Sequence, residues 1–282
     1  MPGVFVVLWS TGFIGAKFGL PYAEPFTFLS LRFIAVIALL AGVALATRAP
    51  WPRQPQLLGH LAVSGLLVHA VYLGGVFAAI RAGLPSGITA LVVGLQPVLT
   101  ALVAGKVLGE RVSGRQWGGL SLGLAGVGMV LSTRLTGVDV AALPWRGLGF
   151  AAASLVGMTA GTLYQKRFCT GMDLRTGAVI QYAAAGLLIA PVAALTETMR
   201  VQWTAEFVFA LGWLVVVLSV GAISLLMTLI RMGEAARVAS LFYLVPPVTA
   251  MMAWALFDEQ LGVMGLAGMA VAAAGVALVV RR

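Results

Sequence analysis

The chain has 282 residues, of which 61% are hydrophobic and 10% charged, and its mean hydropathy is +1.02. That composition excludes a water-soluble domain of this length, and no long polar stretch remains to form one. The net charge of +9 does not point to nucleic acid, because the 18 basic residues are scattered through short connections and build no basic face.

Apolar runs long enough to span a bilayer recur from one end to the other. They predict ten helices, at about residues 2–20, 25–47, 56–80, 85–106, 115–132, 146–168, 176–196, 204–231, 236–256 and 260–280. Residues 2–20 lack the basic start and the small-residue cleavage site of a secretory leader, so they read as the first span. Pro21, Pro25, Pro50, Pro52, Pro55, Pro85, Gly114, Pro144 and Gly171 punctuate the connections. The longest polar link, 134–145, separates a first half, 1–133, from a second, 146–282. Cys169 is the sole cysteine, which rules out an intrachain disulfide and leaves a small packing residue.

The two halves repeat one another. A shift of 150 carries Arg81 onto Arg231, Gly83 onto Gly233 and Pro97 onto Pro247. A shift of 149 carries Glu110 onto Glu259, Gly119 onto Gly268, Gly126 onto Gly275, Gly12 onto Gly161, Lys17 onto Lys166 and Phe33 onto Tyr182. Five spans per half is an odd number, so the second half must cross the membrane upside down relative to the first. The expected fold is therefore all-α and integral to the membrane, with ten transmembrane helices as two five-helix repeats of inverted topology. Twelve basic residues fall on the side of the termini and five (Lys17, Arg81, Arg134, Arg146 and Arg200) on the other, with Arg32 inside a span. The positive-inside rule then places both termini in the cytoplasm.

Several strings, in order and duplicated, resemble the drug/metabolite transporter superfamily and within it the EamA-type ten-helix exporters. They are Trp9-Ser10-Thr11-Gly12-Phe13 with Lys17, Glu24-Pro25 with Arg32-Phe33, Gln96-Pro97 with Gly109-Glu110, and Pro246-Pro247 with Asp258-Glu259. The resemblance covers essentially the whole chain. It implies a multi-pass carrier of the bacterial inner membrane, with a central cavity between the halves, that exports amino acids or other small metabolites. Some members of the family are broad amino-acid exporters that also pass aromatic amino acids.

Polar groups inside a span are costly and point to a water-filled path or to a partner. His69 lies at the middle of its span with Tyr72 one turn on, and the pair can hydrogen-bond a zwitterion while walling its side chain; packing against a neighbouring helix is the alternative. Trp9, Tyr164 and Tyr243 lie deep enough to line the same cavity. Tyr182, Trp213 and Trp254 are also within spans, whereas Trp51, Trp117, Trp145 and Trp203 sit at helix ends as interface anchors. Gln96-Pro97 and Pro246-Pro247 are repeat-equivalent. Proline removes a donor and crowds the preceding turn, so helices 4 and 9 should break there, and paired breaks mark a binding site. Ser240 lies before the second pair and can offer a hydroxyl. Arg32 can attract an anionic group or can snorkel to the interface; its repeat partner is the neutral Gln181. Lys17 and Lys166 read as snorkelling residues, and Glu110 and Glu259 as carboxylates facing the N-terminal dipoles of helices 5 and 10. Small pairs such as Gly119/Gly123 let helices approach closely.

Absences narrow the chemistry. No carboxylate lies at mid-span, and His69 is the one mid-span group that ordinarily titrates near neutrality, so transport is expected to be uncoupled or proton-linked through it. His60 and His69 lack further ligands, so no metal site is expected, nor any cofactor. No catalytic constellation is present, which argues against a membrane enzyme, and nothing resembles the filter ring of a channel. Export of amphipathic cations or drugs on the aromatic lining is the alternative to amino acids. Ten helices can enclose a cavity within one chain, so a monomer suffices and a dimer is possible.

Overall fold

The computed structural model describes residues 1–132, 143–257 and 262–281. Arg134, Asp258 and Glu259 lie outside these, and Lys17 is described only as backbone. Helices take the positions that the apolar runs predict. They are α1 (Pro2–Gly19), α2 (Pro25–Ala46), α3 (Pro55–Arg81), α4 in two pieces (Ser86–Val93 and Gln96–Leu108), α5 (Gly114–Ser132), α6 (Trp145–Phe168), α7 (Leu174–Thr196) and α8 (Ala205–Met232). Then come α9, built from Ala235–Ser240, a 3-10 turn Leu241–Leu244 and Val245–Phe257, and α10 (Val263–Val280). Among the described residues eight of these are long and apolar enough to cross a membrane; the apolar run of α1 is shorter, and α5 opens on polar residues. The protein is an all-α membrane protein. Its outward faces carry apolar side chains such as Leu187, Leu195 and Val263, which need lipid and not water around them.

Proline opens α1, α2 and α3, where its missing N–H costs nothing. Asp173 caps α7, accepting from the Arg175 and Thr176 amides, and its hydrogen bonds to the Arg175 side chain hold its carboxyl below the usual carboxylate range. Cys169 is buried beside Leu61 and Met172; burial pushes its thiol up to about 11, which leaves it inert.

Helix α5 packs along α10, and α2 along α7. Helix α3 lies against α6 and α7, α1 against α8 and α9, and α4 against α6 and α9. The α5–α10 contact is backbone on backbone. A methyl group on Gly126 would sit 2.3 Å from the Ala272 nitrogen, and one on Gly275 2.4 Å from the Gly123 nitrogen. On Gly119 it would sit 2.6 Å from the Gly275 oxygen, and on Gly268 2.7 Å from the Gly126 oxygen. Only glycine allows that approach, and the stacked dispersion contacts it permits replace the hydrophobic driving force that lipid cannot supply.

One end of the bundle is tied by Glu197, which follows α7. Its side chain is fully buried and accepts from the Phe26 amide at 2.9 Å, the Thr27 amide at 2.7 Å and the Thr27 hydroxyl at 2.8 Å, so it caps α2 from across the chain. Arg81, at the end of α3, pairs with the same carboxylate at 2.9 Å and donates to the Thr196 carbonyl. Nearby, Glu24 accepts from the Thr198 amide and hydroxyl, and Gln202 donates to the Tyr22 carbonyl. Replacing Glu197 by alanine strands two helix-start amides and should cost about 2 kcal/mol, seen as a fall of roughly 5 °C in the melting temperature of the detergent-solubilised protein. An unchanged melting temperature would count against the capping role.

Candidate functional site

The helices that frame the centre are irregular. Helix α3 widens to π geometry over Leu66–Leu73, and α8 does so over Leu214–Ala222. A shift of 149 superposes these stretches. Helix α4 breaks at Gly94–Leu95 and α9 tightens at Leu241–Leu244, again at repeat-equivalent positions. The expected kinks at Pro97, Pro246 and Pro247 are displaced: each break falls just before the prolines, which sit in the first turn of the piece that follows. In a first turn proline gives up no hydrogen bond, so the chain breaks ahead of it. The π segments carry no comparable sequence signal and were not foreseen; π widenings frequently mark functional sites.

Two small voids lie along this line, and α8 walls both. The first, about 20 Å3, is lined by Trp9 of α1, Arg32 of α2, Val68, His69, Tyr72 and Leu73 of α3, and Leu218 and Ile223 of α8. The second, about 10 Å3, is lined by Gln96, Thr162 of α6, Leu226, Ile230, Ala235, Val238, Ala239 and Phe242. Each has room for about one water, against roughly 300 Å3 and above for a typical ligand pocket. Neither void can hold a metabolite in this arrangement of the helices.

Four of the residues expected to bind substrate come together at the larger void: Trp9, Arg32, His69 and Tyr72. Trp9 is held by Phe5 and Phe242, with ring centroids 5.4 and 5.1 Å away. His69 is fully buried and stacks on Tyr182 at 4.0 Å. Neither of its ring nitrogens has a hydrogen-bond partner, nor does the Tyr182 hydroxyl. Burying such groups unpaired costs on the order of 1–3 kcal/mol each. Arg32 does not snorkel: it is 5% exposed, and its Nε donates to the Ser219 hydroxyl at 2.9 Å. Tyr182 and Ser219 thus belong to this cluster. Ser219 lies in the π segment of α8, and its place beside Arg32 depends on how α2 and α8 meet, which no local pattern encodes.

Gln96 lines the second void. Its Nε2 donates to Thr100 at 3.1 Å while its Oε1 is buried without a partner. The remaining expected residues lie elsewhere. Tyr164 lines neither void; its hydroxyl is 2.7 Å from His60 Nδ1, and both rings pack on Phe168 near the end of α6. Ser240 gives its proton to the Arg237 carbonyl one turn back. Tyr243 packs its ring against Gly123 of α5, its hydroxyl buried and unpaired. Trp254 is 54% exposed and faces outward, and Trp117 is partly buried against the core. Replacing Tyr164 by phenylalanine should therefore change transport less than about twofold, and a tenfold loss would return it to the site.

At the end opposite Glu197, charge closes the bundle again. Lys166 at the end of α6 pairs with Glu110 and donates to the Gly233 carbonyl at 2.6 Å. Glu110 also accepts from the Ala235 amide at 2.7 Å. It therefore caps α9 and not α5, and Lys166 is a paired residue instead of a snorkelling one. The α4–α5 turn, α6 and the α8–α9 turn meet at this pair. Among the described residues no group of three or more histidine, cysteine or carboxylate side chains is arranged to hold a metal.

Similarity to known proteins agrees with this architecture. The chain is 28% identical to the uncharacterized inner membrane transporter YedA of Escherichia coli over 90% of its own length and 81% of that protein. It is 27% identical to a probable amino-acid metabolite efflux pump of the same organism (91% and 85% covered). Identity to a probable terminal-alkyne amino-acid exporter of Streptantibioticus cattleyicolor is 29% (98% and 91% covered). A solved crystal structure superposes with a TM-score of 0.87 over 99% of this chain and 94% of its own, at 22% identity, which establishes a shared fold. The pattern of the EamA-like transporter family matches twice, over residues 4–132 and 145–281, and with nearly the whole sequence accounted for the chain belongs to that family.

Proposed function

We propose that the protein exports small metabolites, amino acids foremost, across the bacterial inner membrane by alternating access through the centre of the bundle, with both termini cytoplasmic. The observation that carries this reading is the void bounded by Trp9, Arg32, His69 and Tyr72, where a buried guanidinium lies beside an imidazole whose two ring nitrogens have no partner. Its location supports it too, since it adjoins the π segments of α3 and α8, while the second void is walled by the broken helices α4 and α9. Relatives named as an amino-acid metabolite efflux pump and an amino-acid exporter support the substrate class.

An inverted pair of five-helix repeats, 1–133 and 146–282, is supported by the two family matches. Helix pairing supports it as well: exchanging each helix with the one five places along maps the contacts α5–α10, α2–α7, α3–α6 with α8–α1, and α1–α9 with α6–α4 onto one another. Under the 149 shift the Gly119–Gly275 approach becomes the Gly268–Gly126 approach. One half can then rock against the other about the α5–α10 seam. Movement proceeds without a carboxylate relay, either uncoupled or linked to protonation of His69, and Gln96 extends the polar path toward the end closed by Glu110.

Counterflow of a radiolabelled amino-acid panel into vesicles holding purified protein tests this. Saturable counterflow, lost or re-ranked by at least tenfold in His69→Ala and Tyr72→Phe, is the expected result. Flux of cationic dyes with none of amino acids would replace the substrate class, and the absence of saturation would indicate a pore.

A further inference from the structure

We propose that Arg32 is the carboxylate-binding group of this carrier, positioned by Ser219, so that the transported molecules must carry one free carboxylate. The inference rests on the export reading above and narrows its substrate class.

Arg32 is 5% exposed, at the edge of the central void. Its guanidinium stays charged at any physiological pH, and an unpaired charge at that depth is among the most costly features a membrane protein can hold. Among the described residues it makes no ion pair; it donates to the neutral hydroxyl of Ser219 at 2.9 Å, and the neutral Tyr182 hydroxyl also faces it. The other groups that face it, Tyr72, Tyr182 and His69, are not anions at neutral pH. The chain thus supplies a buried cation and withholds the counter-charge. With Nε taken by Ser219, the two Nη groups remain for a planar anion, and a carboxylate matches that fork.

The mirrored half lacks the same device. Gln181 occupies the repeat-equivalent position and is neutral. It is also satisfied: its Nε2 donates to Gln165 Oε1 at 2.6 Å, and the Ser64 hydroxyl donates to the same oxygen at 2.7 Å. One half therefore binds charge and the other is closed. A single carboxylate fits that asymmetry, whereas a dicarboxylate would want a second cation. No side chain on the site offers a carboxylate to an ammonium group, so the carboxylate and not the amine is the recognised end, and a cation without a carboxylate would meet repulsion from Arg32.

The test uses the full-length protein in vesicles, with leucine and phenylalanine, their methyl esters and their decarboxylated amines as probes. In the unaltered protein the acids should exchange at least tenfold faster than esters or amines. Arg32→Gln should lose that exchange by at least tenfold and erase the preference. Arg32→Lys, which keeps charge without the fork, should recover part of it, and Ser219→Ala should raise KM more than it lowers kcat. Melting temperatures with and without each probe provide a second readout: the acids should raise that of the unaltered protein and leave that of Arg32→Gln unmoved. Esters carried as fast as acids, or an Arg32→Gln variant that keeps the acid preference or the acid-induced melting shift, would overturn the assignment while leaving an exporter. No exchange and no melting shift with any of the six probes would overturn the amino-acid reading and this one together.

Discussion

Replacing Gly126 by leucine should prevent the two halves from closing on each other. A side chain at this position meets the Ala272 backbone nitrogen at 2.3 Å and the Gly268 oxygen at 2.7 Å, and backbone cannot rotate out of the way as a side chain can. Overpacking typically costs about 1–3 kcal/mol when side chains can shift. Here the helices themselves must separate, which forfeits the dispersion contacts along α5 and α10, so the loss lies at or above the upper end of that range. The expected outcome is a fall of about 10 °C in melting temperature, or no recoverable folded protein. Gly128→Leu is the control: it lies on the same helix with no atom within 4 Å of the added carbon, and should melt with the unaltered protein. If both variants behave alike, the close approach is not what holds this seam.

Glu110→Ala should unlatch one end of the bundle. The carboxylate binds the Lys166 ammonium and caps α9 through the Ala235 amide, and both charged side chains are mostly buried. Its removal leaves the Ala235 amide without its acceptor and the Lys166 ammonium without a counter-charge, held only by the Gly233 carbonyl. About 2 kcal/mol is lost from the closed arrangement, which corresponds to roughly a thirtyfold shift toward the open one. A cysteine at Thr162, on the void nearest this end, in a Cys169→Ser background reads the shift directly: an impermeant maleimide should label it faster when Glu110 is absent. Reversing the pair, with Lys at 110 and Glu at 166, should restore only part of the protection, because a lysine cannot accept from the Ala235 amide. An unchanged labelling rate in Glu110→Ala would mean that the latch does not control access.

Much of this molecule can be read from the chain alone, and the failures share a cause. Helix positions follow from apolar run length and from proline at the starts, as at Pro25 and Pro55, because both are local properties. Repeat-equivalent pairs such as Gly126 and Gly275 stand out by spacing. The direction of a side chain is another matter. Tyr164 and Trp9 look equally suited to a cavity, yet one binds His60 near a helix end and the other lines the centre. Ser240 has the right depth, but it finds its own helix carbonyl first. Glu110 precedes α5 in the chain and caps α9 in space.

What the sequence by itself determined is the all-helical membrane character, the positions of the helices, the similarity between the halves of the chain and a short list of candidate residues. These depend on composition, periodicity and spacing, and survive any arrangement of the helices. Only the tertiary structure decided which residues meet. Arg32 reaches Ser219, His69 stacks on Tyr182 and Glu197 caps α2, at separations of 187, 113 and about 170 residues along the chain. A residue's own neighbours settle whether it becomes helical. Its partner across a helix interface is settled by crossing geometry, which is a property of two helices at once.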